Sequence, residues 1–324
     1  MVFRRGKQLV ISDLPGLEEA TLIRPGIFVR GFDKIDRKKY RLPILSYATD
    51  SNYARKAVRD PWIKAICLTE ELAGEIGYQK FENKALILHQ DPASLFYWMH
   101  NTLATSTDLY WGQHSAPVIG QGSKISASAY IEPNVKIGSN VTVGPGAMIM
   151  SGTVVGSDSV IIGGAVIGEE SIEMKFIKGI RTQIRHVGGV RIGRGAVIAP
   201  RVIVSRSLFH GTTSLGDFTS VGESSHVGHG TSVGDSTTIS GGVMIGGSCA
   251  IGANVFLGMG SIVRDSVTVG DDAHISMAAA VVADVEPGQR VTGVYAKDSR
   301  LWAAEQRQVR TARSRGPFSA NHAK

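Results

Sequence analysis

The sequence predicts a mainly β protein, a parallel β-solenoid with a small α/β domain before it and a helix after it. Three observations predict this: a six-residue apolar period, glycines beside many of the repeats, and loss of the period at both ends of the chain. Apolar residues fall at Ile119, Ile125, Ile131, Ile137, Val143, Ile149, Val155, Ile161 and Ile167. They recur at Leu215, Val221, Val227, Val233, Ile239, Ile245, Ile251, Leu257, Val263, Val269, Ile275 and Val281, with Ile192, Ile198 and Val204 between the two series. No helix has a period of six, whereas six is a multiple of the strand's two, so each sixth side chain returns to one face of a short strand. Gly120, Gly138, Gly144, Gly216, Gly222, Gly234 and Gly252 directly follow such residues and are expected to permit tight corners. A phase held this long indicates stacked coils of short strands rather than a β-sandwich.

The chain has 324 residues, of which 43% are hydrophobic and 39 are glycine, enough for two or three domains around a substantial core. The expected division is an α/β domain over residues 1–115, the solenoid over 116–288 with a loop excursion at 168–191, and a helical extension with a tail over 289–324. No apolar run is long enough for a membrane span, and the amino terminus lacks a signal-peptide core, so a cytoplasmic location without an integral membrane segment is expected. Cys67 and Cys249 are too few for a disulfide framework and lack zinc spacing, and read as buried thiols. A net charge of +7 leaves nucleic acid, anionic membrane and acidic protein equally open as partners.

In the first domain, Ala65-Ile66-Cys67-Leu68 and Ala85-Leu86-Ile87-Leu88 read as short buried strands. Asp91-Pro92-Ala93 reads as a helix start, with Leu95, Phe96, Met99 and Leu103 following at helical spacing. The stretch Ser46-Tyr47-Ala48-Thr49-Asp50-Ser51-Asn52-Tyr53 sets two tyrosines and a carboxylate in a turn-prone segment. Two rings so placed either sandwich a flat base or are ordinary surface tyrosines.

Within the solenoid the period stops after Ile167, and residues 168–191 leave the coil; such excursions usually carry function. A second irregularity, between Val204 and Leu215, holds Arg206, Phe209 and His210. Next comes the densest histidine cluster, His226-Val227-Gly228-His229-Gly230, in which both histidines flank an inward valine near a corner. Corner imidazoles are either solvated or catalytic. Two histidines separated by two residues do not match the three-histidine zinc sites found on such solenoids, so no metal is expected.

Several of these segments together resemble the UDP-3-O-acylglucosamine N-acyltransferase family of the lipid A pathway. They are the tyrosine cluster, the re-entry His186-Val187-Gly188-Gly189-Val190-Arg191-Ile192-Gly193, the stretch from His226 to Asp235, and Trp302 beyond the solenoid, in the family's order. The resemblance implies a left-handed hand for the β-helix and a homotrimer. It implies transfer of an acyl group from an acyl carrier protein thioester to the amine of a UDP-linked amino sugar, with His229 as general base and His226 and His210 in support. It also places Tyr47 and Tyr53 about the uracil and Asp50 where the family has Asn. Nothing permanently bound is implied; the acyl donor is a phosphopantetheine thioester. Nucleic acid is not expected as a partner. Acetyltransferases of nucleotide-linked sugars share the histidine motif, so an acetyl-CoA-dependent N- or O-acetyltransferase is the alternative, and a non-catalytic binding solenoid the second.

After Pro287-Gly288, Asp298-Ser299 reads as a helix cap. The helix that follows is basic, and Arg300, Arg307 and Arg310 are either a solvated face or, as the resemblance implies, a docking strip for the acidic carrier protein.

Overall fold

The computed structural model describes residues 8–35, 42–106 and 115–293, together with 298–301, 303, 304 and 307. The apolar hexads form a left-handed parallel β-helix. Its strands, most of them two residues long, stack into three sheets of eight, nine and eight strands, and away from the excursion and the last strand each pairs with the third one along the chain. The registers are regular: Ile137 pairs with Val155, Val143 with Ile161, Val227 with Ile245. The partner thus lies about eighteen residues on, as three hexads per turn require. From Ile137 to Val281 the hexad residues are buried and form one continuous core. Pairing continues past residue 288, because Arg290–Val291 adds a last strand beside His274–Ile275.

The corners are made differently from the sequence expectation. The left-handed backbone conformation falls on Asn134, Asn140, Ser224 and their equivalents three residues after the hexad residue, not on the glycines that follow it directly. Those glycines are required by the coil above: a Cβ at Gly138 or Gly222 would lie 2.5 Å from the backbone nitrogen of Ser157 or Gly241. Between corners, inward hydroxyls join successive coils. Ser225, Thr231 and Thr237 each donate to a carbonyl fifteen residues on and accept an N–H eighteen residues on.

The first domain is an α/β unit, as expected. Its four-stranded sheet runs in the order Thr21–Ile23, Ala85–Leu88, Ile63–Leu68, Ile44–Tyr47, with the first strand antiparallel. Helices α1 (Ser51–Arg59), α2 (Glu70–Ile76) and α3 (Pro92–Ser106) accompany it. Asp91 caps α3 by accepting the Ser94 N–H at 3.0 Å, and Leu95, Phe96, Met99 and Leu103 are buried. Cys67 and Cys249 are buried free thiols whose pKa values burial raises.

The excursion is an antiparallel hairpin, Met174–Ile177 with Ile180–Gln183, and not an irregular loop. Its apolar base joins the first domain: Ile177, Ile184 and Val187 pack in the same core as Phe32, Leu45, Phe96 and Met99. Helix α3 fastens it further, Asn101 bonding the Gln183 carbonyl and the Arg185 N–H, and the His100 Nε2–H donating to the Arg185 carbonyl at 2.9 Å. Beyond the solenoid, Asp298 accepts the Arg300 and Leu301 N–H groups at a helix start, as expected. Among the described residues no helix is long and apolar enough to cross a membrane.

Candidate active site

His229 stands at a corner where three features meet: its own coil, the next coil at Gly247, and the base of the excursion hairpin. The next coil lies so close that a Cβ at Gly247 would fall 2.5 Å from His229 Nε2. The imidazole therefore lies over a glycine that only hydrogen fits. Among the described residues, no group accepts the Gly247 N–H. Around it the backbone is closely held. The Ser248 N–H donates to the His229 carbonyl at 2.7 Å, and the Gly230 N–H to Thr213 Oγ1 at 2.8 Å. Thr231 donates to the Gly246 carbonyl at 2.8 Å and accepts the Cys249 N–H at 3.1 Å.

Thr231 thus fixes the spacing of the two coils that carry His229 and Gly247. Thr231→Val keeps the shape but strands the half-buried Gly246 carbonyl and the buried Cys249 N–H. An unfolding free energy lower by roughly 1–3 kcal/mol for each stranded group is expected, checked by urea denaturation.

On its other side His229 meets His186, the rings at 5.4 Å between centroids and 75° apart. His186 is 2% exposed. Its backbone N–H donates to Glu170 and its Nδ1 lies 3.2 Å from the Ile184 carbonyl. Burial, and then the charge of His229, push its pKa down to about 4. Glu173, at the foot of the hairpin, bonds Lys175 at 2.9 Å and faces Lys34 at 3.8 Å. Burial raises its carboxyl, but Lys175, Lys34 and the nearby His229 outweigh that and hold it below the ordinary carboxylate range. Lys175 also lies 5.7 Å over the Tyr97 ring, and Tyr97 Oη is 3.4 Å from Tyr47 Oη. Contacts therefore run from Tyr47 through Tyr97 and Lys175 to Glu173, whose carboxyl feels the charge of His229.

Of the residues singled out from sequence, His226 lies one strand before His229, half-buried, with its Nε2 2.9 Å from Ser205 Oγ. It sits in an outward column between Ile203 and Met244. His210 lies elsewhere, in the seam with the first domain, where a Cβ at Gly31 would fall 3.0 Å from its Nδ1. Burial pushes its pKa down to about 4. Tyr47 is half-buried against Phe96 and Tyr97, at 4.9 and 5.7 Å between centroids, while Tyr53 is 41% exposed with Lys56 above its ring. Asp50 caps α1, its carboxylate accepting the Tyr53 N–H at 3.0 Å, so that oxygen is already engaged. Arg300 and Arg307 are exposed, and Arg310 lies outside the described residues.

Sequence reasoning missed Glu173, His186 as a site residue, and Gly247. The first two reach the corner only because the hairpin folds back, and Gly247 was one of many corner glycines until the ring above it was placed.

No curated protein sequence matches the chain. Solved structures with a similar course include UDP-N-acetylglucosamine acyltransferase from Campylobacter jejuni, at 22% identity over 64% of this chain and 82% of that one, TM-score 0.48. The Francisella novicida enzyme of the same name aligns at 25% identity over 62% and 78%, TM-score 0.37. A mutant of GDP-perosamine N-acetyltransferase from Caulobacter crescentus, in complex with CoA and GDP-perosamine, aligns at 12% identity over 79% and 83%, TM-score 0.22. Residues 116–151 match the bacterial transferase hexapeptide (six repeats), and residues 134–169 and 249–283 match the hexapeptide repeat of succinyl-transferase, so the solenoid carries the repeat of the hexapeptide transferases.

Proposed function

We propose that the chain is an acyltransferase that moves an acyl group from a thioester to the amine of a nucleotide-linked amino sugar. The observation that carries this reading is His229 Nε2 lying against Gly247, whose N–H has no acceptor among the described residues. A neutral amine attacking a thioester carbonyl must lose a proton, and the carbonyl oxygen gains charge as it does so. An imidazole base beside a backbone N–H donor serves both needs. The new C–N bond forms, the C–S bond breaks, and the amine proton passes through His229 to the departing sulfur.

The finer assignments follow the family resemblance. The donor is an acyl carrier protein met by Arg300, Arg307 and Arg310, and the acceptor a UDP-amino sugar whose base meets Tyr53 and the outer edge of Tyr47. Acetyl-CoA is the alternative donor. The chain assembles as a homotrimer with the site between subunits. The outward column Tyr130, Met148, Val166, Ile203, His226, Met244 and Ile262 supports this, being apolar except for His226.

The test is turnover with acyl-carrier thioester or acetyl-CoA and UDP-amino sugars, products read by mass spectrometry. Amide formation on the sugar is expected; no transfer from any thioester overturns the reading.

Two substitutions probe its parts. Gly247→Ala pushes a methyl into the imidazole, and a kcat lower by roughly 10²-fold is expected from the displaced base, with the melting midpoint near that of wild type. Tyr53→Ala is expected to weaken UDP-sugar binding by roughly 1–3 kcal/mol, the worth of one stacked base, read by calorimetric titration. An unchanged affinity removes Tyr53 from the nucleotide site.

A further inference from the structure

A nucleotide-linked sugar carries a diphosphate between its base and its sugar. A chain that holds the base at one point and the amine at another must therefore meet that negative charge between them. The base is assigned above to Tyr53 and the outer edge of Tyr47, and the amine to the corner that carries His229. Cations are required on the way from one to the other.

We infer that Lys34 and Lys175 form the diphosphate subsite, one ammonium supplied by the first domain and the other by the excursion hairpin. The inference rests on the nucleotide-sugar reading of the preceding section. The two ammonium groups converge on one carboxylate oxygen, Lys175 Nζ at 2.9 Å and Lys34 Nζ at 3.8 Å from Glu173 Oε1. The side chains of Lys34 and Lys175 are 31% and 37% exposed against 17% for Glu173, so the carboxylate is the inner group and the positive ends face outward. The place is also right. Lys175 Nζ lies 5.7 Å over the ring of Tyr97, whose hydroxyl is 3.4 Å from that of Tyr47, while Glu173 lies within the field of His229.

Both lysines are carried by ordered backbone. Lys175 pairs with Thr182 across the hairpin and shares a face with Ile177, which is buried in the core of the first domain, so its side chain is delivered to that domain. The Lys34 backbone N–H donates to the buried Asp33 at 2.7 Å. Glu173 has a part of its own. Burial works against its charge, yet Lys175 and Lys34 help to keep it ionised. It gathers two ammonium groups that repel each other, and an ammonium has three N–H donors, so Lys175 can serve the carboxylate and a phosphate oxygen together. The same negative charge opposes the diphosphate and so tempers its affinity. A mere brace between hairpin and first domain would show no such opposition.

The experiment is calorimetric titration of the full-length protein with UDP, uridine and coenzyme A at low and at high salt. UDP is expected to bind more tightly than uridine, by a margin that shrinks as salt rises. Lys34→Gln and Lys175→Gln should each weaken UDP roughly tenfold, the worth of one charge-assisted hydrogen bond, and leave uridine unchanged. Lys175→Arg should keep most of the UDP affinity. Glu173→Gln should tighten UDP binding, the sign that separates a subsite from a brace. The proposal is overturned if both lysine variants bind UDP as wild type does, or if UDP and uridine weaken together. It is also overturned if the variants weaken coenzyme A and spare UDP, which gives the cations to the acyl donor. A wild-type margin of UDP over uridine that salt does not change overturns it as well, and that measurement needs no variant to fold. Each of these results leaves the nucleotide reading of the tyrosines standing. Failure of UDP and uridine alike to bind removes that reading, and the subsite with it.

Discussion

His229→Ala is expected to lower kcat by roughly 10²- to 10⁴-fold, the contribution of a positioned general base, while leaving assembly and the melting midpoint close to wild type. The fold does not depend on the ring. The core of that coil is Val227 and Val233, and its ties to the next coil run through Thr231 and the His229 backbone carbonyl, which alanine retains. His226→Ala should cost much less, since His226 bonds Ser205 and does not lie over Gly247. Steady-state turnover with donor and UDP-amino sugar, beside a thermal melt of each variant, checks both. Near-wild-type turnover in His229→Ala would falsify the mechanism even with the fold intact.

A second large effect is expected on stability in mild acid. His100, His186 and His210 all have their pKa values pushed down to about 4, in each case chiefly by burial. In the unfolded chain they titrate near 6.5. Between those values the unfolded state binds more protons than the folded one, so stability falls as pH falls. It is complete above about pH 6.5 and lost progressively toward pH 4. At pH 5 one such histidine costs about 2 kcal/mol relative to pH 7.5, at 1.36 kcal/mol per pKa unit. The three are not independent, since His186 and His210 both lower the pKa of His100. Urea midpoints between pH 7.5 and 5 measure the slope. His210→Gln, which cannot be protonated, should flatten it. An equal slope in that variant would show that His210 takes up no proton in this window. Glu173 adds its own loss only lower, as pH falls through its depressed carboxylate range.

The same histidines mark where the sequence stops being legible. The solenoid could be read almost to its ends because a hexad is a local property: each inward residue is set by strand alternation and by the identical coil above and below. His229 shared that legibility, since its place beside the inward Val227 follows from phase alone. Helix starts at Asp91 and Asp298 were readable for the same reason, a cap being decided within four residues. Asp50 shows the limit of such reading. It stands in the tyrosine cluster as a base-contacting carboxylate would, yet its oxygen is taken by the first turn of α1.

What the sequence by itself determined is the period, and with it the stacked coils, the inward residues and the corner that holds His229. Only the tertiary structure decided which neighbours that corner has. The hairpin of residues 174–183 carries no hexad, and its position comes from burying Ile177, Ile184 and Val187 in the core of a domain that begins far earlier in the chain. That docking brings His186 and Glu173 to His229, and it sends His210 into the seam beside Gly31. The corner glycines follow the same division. Their spacing is visible in the sequence, but Gly138 is required by a backbone nitrogen one coil away and Gly247 by the His229 ring, because contacts between coils depend on the distance of the next turn and not on local conformation.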